Sequence, residues 1–166
     1  MERPLPLTRN AILFVAVVVA LAILALTASA AGRESAAHRR DWEAYQSVTR
    51  LIDEQKSFQE AERVLADLLK RNPNSYILLW RYGFTQAVAG RHADALDYYE
   101  QARRLNRYLV HDANYLILVG DSFFRTGEYR KAKAYLEEAV RRGGLDEGLT
   151  RYAQAQLEQI RKRGVE

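Results

Sequence analysis

Three histidines, His38, His92 and His111, are the first side chains to test for chemistry, and no two of them share a metal-ligand spacing. His92 is expected as a half-buried packing residue, and His111 with Asp112 as a helix entry. No glycine-rich phosphate loop, nucleophile elbow or zinc motif is present. The carboxylate pairs Asp53/Glu54 and Glu137/Glu138 are adjacent, so a helix would point their members to different sides rather than at one substrate. Cysteine is absent, which excludes a disulfide framework, a thiolate site, a cysteine nucleophile and a lipid-anchor cysteine. These residues lead us to expect no enzyme, no metal and no cofactor.

What the chain does carry is repetition. Gly90 to Ala102 recurs as Gly127 to Ala139 after a shift of 37 residues, with Gly90 on Gly127, Ala95 on Ala132, Tyr99 on Leu136 and Ala102 on Ala139. Upstream, Gly83 falls on Gly120 with the same offset. A fainter copy lies 34 residues earlier, where Phe58, Ala61, Leu65 and Leu68 precede His92, Ala95, Tyr99 and Ala102. Self-similarity at this period predicts a short solenoid in which each unit packs on its neighbours.

From Asp41 onward the apolar spacing is helical almost throughout. Asp41 is placed to cap a helix of Trp42 to about Glu54, and Ser57 to cap one of Phe58 to Arg71, with Glu60 at capping-box distance. Asn72-Pro73-Asn74 stops that helix. Further helices are expected over 75–89, 93–106, 112–126 and 128–142, and a last one over 146–163, apolar on one side and otherwise polar as a terminal cap would be. Gly90 and Gly127 would each supply the left-handed residue between two helices. Mid-helix, Gly83 and Gly120 would cost about 1 kcal/mol relative to alanine, which predicts another backbone passing too close for a side chain. Ala95 and Ala132 would do the same for the neighbouring helix, while Phe58, Tyr99 and Leu136 fill larger gaps. Three extra residues after Asn106, in Arg107 to His111, account for a spacing of 37 instead of 34 and predict a longer or overshot helix at that joint.

The amino-terminal part is of another kind. Residues 1–10 are a short basic lead with Arg3 and Arg9, and residues 11–31 carry no charge. As a helix those 21 residues would reach about 31 Å, enough to cross the hydrocarbon core of a bilayer. Ala28-Ser29-Ala30 also fits a secretory cleavage site, so a cleaved signal is the competing reading and a core helix a third. Against cleavage, the strongly apolar stretch is longer than a usual signal core. Arginines flank the segment nearly evenly, and the basic lead inclines toward a single-pass protein whose soluble part is extracytoplasmic. Residues 32–40 read as a linker.

Paired helices of about 34 residues, with glycine at the turn and alanine at fixed places, resemble the tetratricopeptide repeat (TPR) family. In one unit Leu79, Tyr82 and Gly83 hold the first helix's packing positions, Gly90 the turn, and Ala95, Tyr99 and Ala102 the second helix's. In the next, Leu116, Val119, Gly120 and Phe123 are followed by Gly127, Tyr129, Ala132, Leu136 and Ala139. The resemblance covers 41–163 and implies an all-α fold: a short α-solenoid of about three helix pairs (42–75, 76–109 and 113–146) with a capping helix at 146–163, preceded by the single transmembrane helix. The first unit departs most, having Thr49 where the others have Gly83 and Gly120, and Lys56 where they have Gly90 and Gly127.

The resemblance also implies a concave groove that binds a protein or peptide. Its outward positions here are Gln46 and Arg50; then Ile77, Trp80, Arg81 and Phe84; then Asn114, Ile117, Asp121 and Phe124. Aromatic rings beside arginines have the character of interface hot spots. A clamp for an acidic peptide end would need Lys and Asn where Gln46, Phe84 and Leu118 stand, so that ligand is not expected. The net charge of +4, spread over helical faces, does not support nucleic acid. The function expected is a membrane-anchored adaptor or assembly subunit of a bacterial envelope complex. The alternative is a structural subunit held through its membrane helix, with the repeats bracing its neighbours.

Overall fold

Ser57, Ser75, Asn106, Asp112 and Asp146 stand where the helical pattern restarts, and the structure, a computed structural model, uses each of them as a cap, whereas the helices after Arg91 and Glu128 start without a side-chain cap. It describes residues 19, 39–40, 42–52 and 57–164. The chain divides into two units, 1–43 and 44–166. In the first, the described residues (19, 39–40 and 42–43) are helical. The expected lead, transmembrane run 11–31 and linker 32–40 lie outside the described residues, apart from Val19, Arg39 and Arg40. Among the described residues no helix is long and apolar enough to cross a membrane.

Among its described residues the second unit is built of helices joined by short turns. Its residues 44–52 are helical (α1), with Asp41 and Lys56 outside the described residues. Then follow α2 (Phe58–Arg71), α3 (Tyr76–Val88), α4 (His92–Leu105), a 3-10 turn (Arg107–His111), α5 (Ala113–Arg125), α6 (Tyr129–Arg142) and α7 (Glu147–Lys162). Ser57 accepts the Glu60 amide at 3.3 Å. Asp112 takes the amides of Asn114 and Tyr115 at 2.8 and 3.1 Å, and Asp146 that of Leu149 at 2.8 Å. Each satisfies donors that a helix start leaves open.

The joint after α4 corrects the expectation of an overshot helix. Asn106 is extended, at φ −130° and ψ 97°, and ends α4; its side chain then caps a separate 3-10 turn by accepting the Tyr108 amide. The three additional residues are used to bury Leu109 while Tyr108 stays 79% exposed.

Neighbouring helices pack in chain order, α2 on α3, α3 on α4, α4 on α5, α5 on α6 and α6 on α7, with α3 also touching α5 and α5 touching α7. The alanines at the repeated positions, Ala61, Ala95, Ala102, Ala132 and Ala139, are fully buried, as are Leu65, Leu136 and, within 1%, Tyr99. Gly83 and Gly120 explain the alternation of small and large. A Cβ on Gly83 would lie 2.7 Å from the Tyr99 ring, and one on Gly120 2.8 Å from Cγ of Leu136. The intruding group is thus chiefly the large side chain at the matching repeat position, not the backbone expected from the sequence, although the Ala95 carbonyl and Leu136 amide are close behind at 3.2 and 3.3 Å.

Gly90 and Gly127 end α3 and α5 in the left-handed region, at φ 78° and 83°. In both, the residue after the glycine donates back across the turn, Arg91 to Gln86 and Glu128 to Phe123, each at 2.9 Å. That closes the helix end and reverses the chain into its partner.

Candidate protein-binding groove

Two parallel stripes define the face that the packing leaves open. On α3, residues 77, 81, 84 and 88 recur at helical spacing; 37 residues on, α5 presents Asn114, Leu118, Asp121 and Arg125 at the same offsets. Ile77 and Val88 remain 37% and 44% exposed despite being aliphatic. Opposite them on α3, Leu79, Gly83 and Gln86 are buried. A cleft of about 310 Å³ opens toward the carboxyl end of the stripes, walled by Phe84, Val88 and Leu118 with His92, Asp121 and Arg125 beside them.

The polar side of this cleft is built from three helices. Asp121 on α5 accepts Tyr152 Oη at 2.6 Å, Gln156 Nε2 from α7, and Arg125 Nε at 3.4 Å, all on Oδ1. Oδ2 receives no donor from the described residues. His92, the first residue of α4, buries Nδ1 without a partner. Burial pushes the His92 imidazole below its usual range and outweighs the attraction of Asp121, with Arg125 acting the same way as burial, so the ring is neutral near pH 7. Tyr152 is held above the ordinary phenol range by burial and by its bond to Asp121.

The expected groove residues divide by what they touch. Gln46, Arg50 and Asn114 are exposed, and Ile77 and Arg81 stand on the open stripe of α3. Trp80 is half-buried and meets Tyr115 edge-on, with ring centroids 6.1 Å apart. Phe84 lines the cleft and also packs edge-on against Phe58 at 6.3 Å. Phe124 is turned to Tyr129 at 5.5 Å, and Tyr129 carries the Arg163 guanidinium over its ring at 4.8 Å. Ile117 is 2% exposed, so a groove ligand cannot reach it; the helix rotates Leu118 into the cleft instead. Sequence reasoning missed Val88, Arg125, Tyr152 and Gln156, named Leu118 only as a groove position that lacks the clamp residue, and assigned His92 to packing alone. Val88 and Arg125 were within reach, since the shift of 37 places Arg81 on Leu118 and Val88 on Arg125. Among the described residues no group of three His, Asp or Glu could hold a metal ion.

Residues 75–143 match the tetratricopeptide repeat model. The matched repeats run from α3 through α6, the two units whose 37-residue register builds both stripes. No match is found among the curated proteins. Among solved structures, the tetratricopeptide repeat domain of Sgt2 from Aspergillus fumigatus superposes with a TM-score of 0.58 at 16% identity, covering 75% of this chain and 78% of that one. The Yersinia enterocolitica type III secretion chaperone SycD, in complex with a peptide of the translocator YopD, gives 0.59 at 14% identity over 74% and 92% of the two chains. The first tetratricopeptide repeat domain of Spaghetti (RPAP3), bound to the HSP90 peptide SRMEEVD, gives 0.61 at 15% identity over 77% and 95%. These likenesses establish the fold: an all-α, tetratricopeptide-type helical solenoid.

Proposed function

We propose that this protein is a non-catalytic adaptor that holds an extended segment of a partner protein along the groove between the stripes of α3 and α5. The observation that carries the reading is the in-register pairing of Ile77, Arg81, Phe84 and Val88 with Asn114, Leu118, Asp121 and Arg125 around an open cleft. Exposed aliphatic and aromatic groups with a guanidinium at the edge suit a peptide whose apolar side chains enter the groove while its backbone stays at the rim. Two of the similar structures hold peptides, which supports the reading. The adaptor is anchored at a bacterial envelope membrane by residues 11–31, with the repeats on the extracytoplasmic side; the support is the uncharged run of 21 residues behind a basic lead.

Co-purification from the native host with Ile77→Asp and Val88→Asp tests the groove. Both residues are exposed, so the fold should survive, and the partner recovered with the unaltered chain should be lost. Its undiminished recovery with a folded double variant would overturn the groove reading and favour a subunit held through its amino-terminal segment. Protease protection in intact vesicles, with the mass of the mature chain, tests the anchor: a full-length chain degraded only from the extracytoplasmic side is expected, and a shortened soluble chain would contradict it.

A further inference from the structure

Among the described residues two arginines are half-buried, Arg81 on α3 and Arg103 on α4. Arg103 lays its fork on Glu100, with Nε on Oε2 and Nη2 on Oε1, both at 2.7 Å. Arg81, on the open stripe, makes no hydrogen bond or ion pair with any described residue. A guanidinium keeps its charge at every working pH and presents a planar set of donors, so Arg81 lacks the acceptor that Arg103 already holds.

Its surroundings within the groove supply no such acceptor. Ile77 and Phe84 stand one helical turn away on either side, and the residue in the same register on α5 is Leu118. The carboxylate farther along the α5 stripe, Asp121, is already matched to Arg125 and takes Tyr152 and Gln156 on the same oxygen. On α1, Arg50 adds an exposed cation. The groove positions therefore carry Arg50, Arg81 and Arg125 against the single acid Asp121, an excess of positive charge centred on the one guanidinium that is half-buried and unanswered.

Charge and shape select the occupant. A cationic side chain is repelled by Arg81. A phosphate backbone calls for several cations along its length, whereas Arg81 stands singly between an isoleucine and a phenylalanine. A neutral apolar side chain would cover the guanidinium and leave its donors unpaired. A carboxylate side chain matches the fork in both plane and charge. In an extended segment, side chains two residues apart face the same way about 6.6 Å apart, close to the roughly 5.4 Å of one helical turn. An acid on Arg81 thus brings the residues two before and two after it to Ile77 and Phe84.

We propose that Arg81 is the subsite for an aspartate or glutamate within the bound partner segment, in the pattern apolar–x–acid–x–apolar. The proposal rests on the groove reading above and deepens it by giving the partner its charge. The acid is a side chain inside the segment and not a chain end, for which the positions of Gln46, Phe84 and Leu118 lack the necessary groups.

The test is a titration of the full-length protein in lipid nanodiscs with the peptide acetyl-Leu-Ser-Glu-Ser-Leu-amide and its counterparts with Gln or Lys at the centre, followed by the Nε–H resonance of Arg81 and the methyl resonances of Ile77. The glutamate peptide is expected to bind about tenfold more tightly than the glutamine peptide, with the lysine peptide weakest and the difference shrinking as salt is added. In Arg81→Met the three peptides should bind alike, and in Arg81→Glu the lysine peptide should lead. Such a reversal of order is a result that loosened folding does not produce. Equal binding of the glutamate and glutamine peptides, a glutamate preference that survives in Arg81→Met, or no shift at Arg81 overturns the subsite. So does a glutamine peptide with a free carboxyl end that binds as tightly as the glutamate peptide. If the glutamate preference is missing while Ile77→Asp and Val88→Asp still abolish partner recovery, the subsite fails and the groove reading stands.

Discussion

Asp121 of α5 accepts the Tyr152 hydroxyl of α7 at 2.6 Å, 31 residues along the chain, and the Gln156 amide one turn further on reaches the same oxygen. The terminal helix is therefore fixed at the edge of the groove by a carboxylate as well as by its apolar residues Ala153 and Ile160. Asp121→Ala removes the acceptor that Tyr152 and Gln156 share, leaving the Gln156 amide only its 3.0 Å bond to the Tyr152 hydroxyl, and is expected to destabilise the docked helix by about 1 kcal/mol. Hydrogen exchange of residues 147–162 should speed up while α2 and α3 keep their protection. Uniform loss of protection across the domain would show that α7 is not a separately held element.

Two buried tyrosines predict opposite results from the same substitution. Tyr115 donates its hydroxyl to the Tyr99 carbonyl at 2.9 Å and so ties α5 to α4, whereas Tyr99 Oη is buried without a partner. Tyr115→Phe should cost about 1 kcal/mol by removing that bond between the two helices. Tyr99→Phe should be neutral or stabilising, since it removes an unpaired polar atom. Denaturant unfolding of the two variants measures the difference, and equal losses would contradict it.

Gly83→Ala and Gly120→Ala weigh helix propensity against space. Alanine would gain about 1 kcal/mol as a helix former. Its methyl group would stand 2.7 Å from the Tyr99 ring or 2.8 Å from Leu136, an overlap that neither fully buried neighbour can relieve cheaply. Overpacking of this kind costs about 1–3 kcal/mol, so both variants should melt below the unaltered protein. A rise in Tm for either would mean that the neighbouring helix gives way.

His92 sets a pH dependence with a definite sign. Burial lowers its folded-state pKa below the ordinary 6.5. The unfolded chain therefore takes up the proton first as pH falls, and stability contributed by the neutral ring is complete above 6.5 and lost below it, down to the lowered folded value. His92→Gln should flatten unfolding free energy against pH over that interval. The Glu100 carboxyl, held low by its bonds to Arg103 and Arg104, acts in a separate window beneath 4.5.

Much of the fold was legible because repetition turns a packing requirement into a spacing. Gly83 with Tyr99 and Gly120 with Leu136 are one contact written twice, and the caps at Ser57, Asp112 and Asp146 mark helix starts within a residue or two. The joint at 107–111 was less legible, because three added residues can extend a helix or form a 3-10 turn, and burial of Leu109 decides between them. The groove was legible only in part. Family positions named Ile117 and Phe124, whose sides face the core and the Tyr129 ring, while the contacts of Asp121 with Tyr152 and Gln156 join residues 31 and 35 apart and follow no repeat spacing. Long-range polar pairs of this kind leave no periodic trace in a single sequence.

The groove itself can be addressed most directly by site-specific photo-cross-linking in the native host, with the photoreactive residue placed at Ile77 or Val88 on the open stripe and at Arg130 or Glu137 on the exposed face of α6. Binding in the groove gives cross-links from 77 and 88 to one segment of one protein, and none to that segment from 130 or 137. Cross-links from α6 to a partner that 77 and 88 do not reach would contradict it.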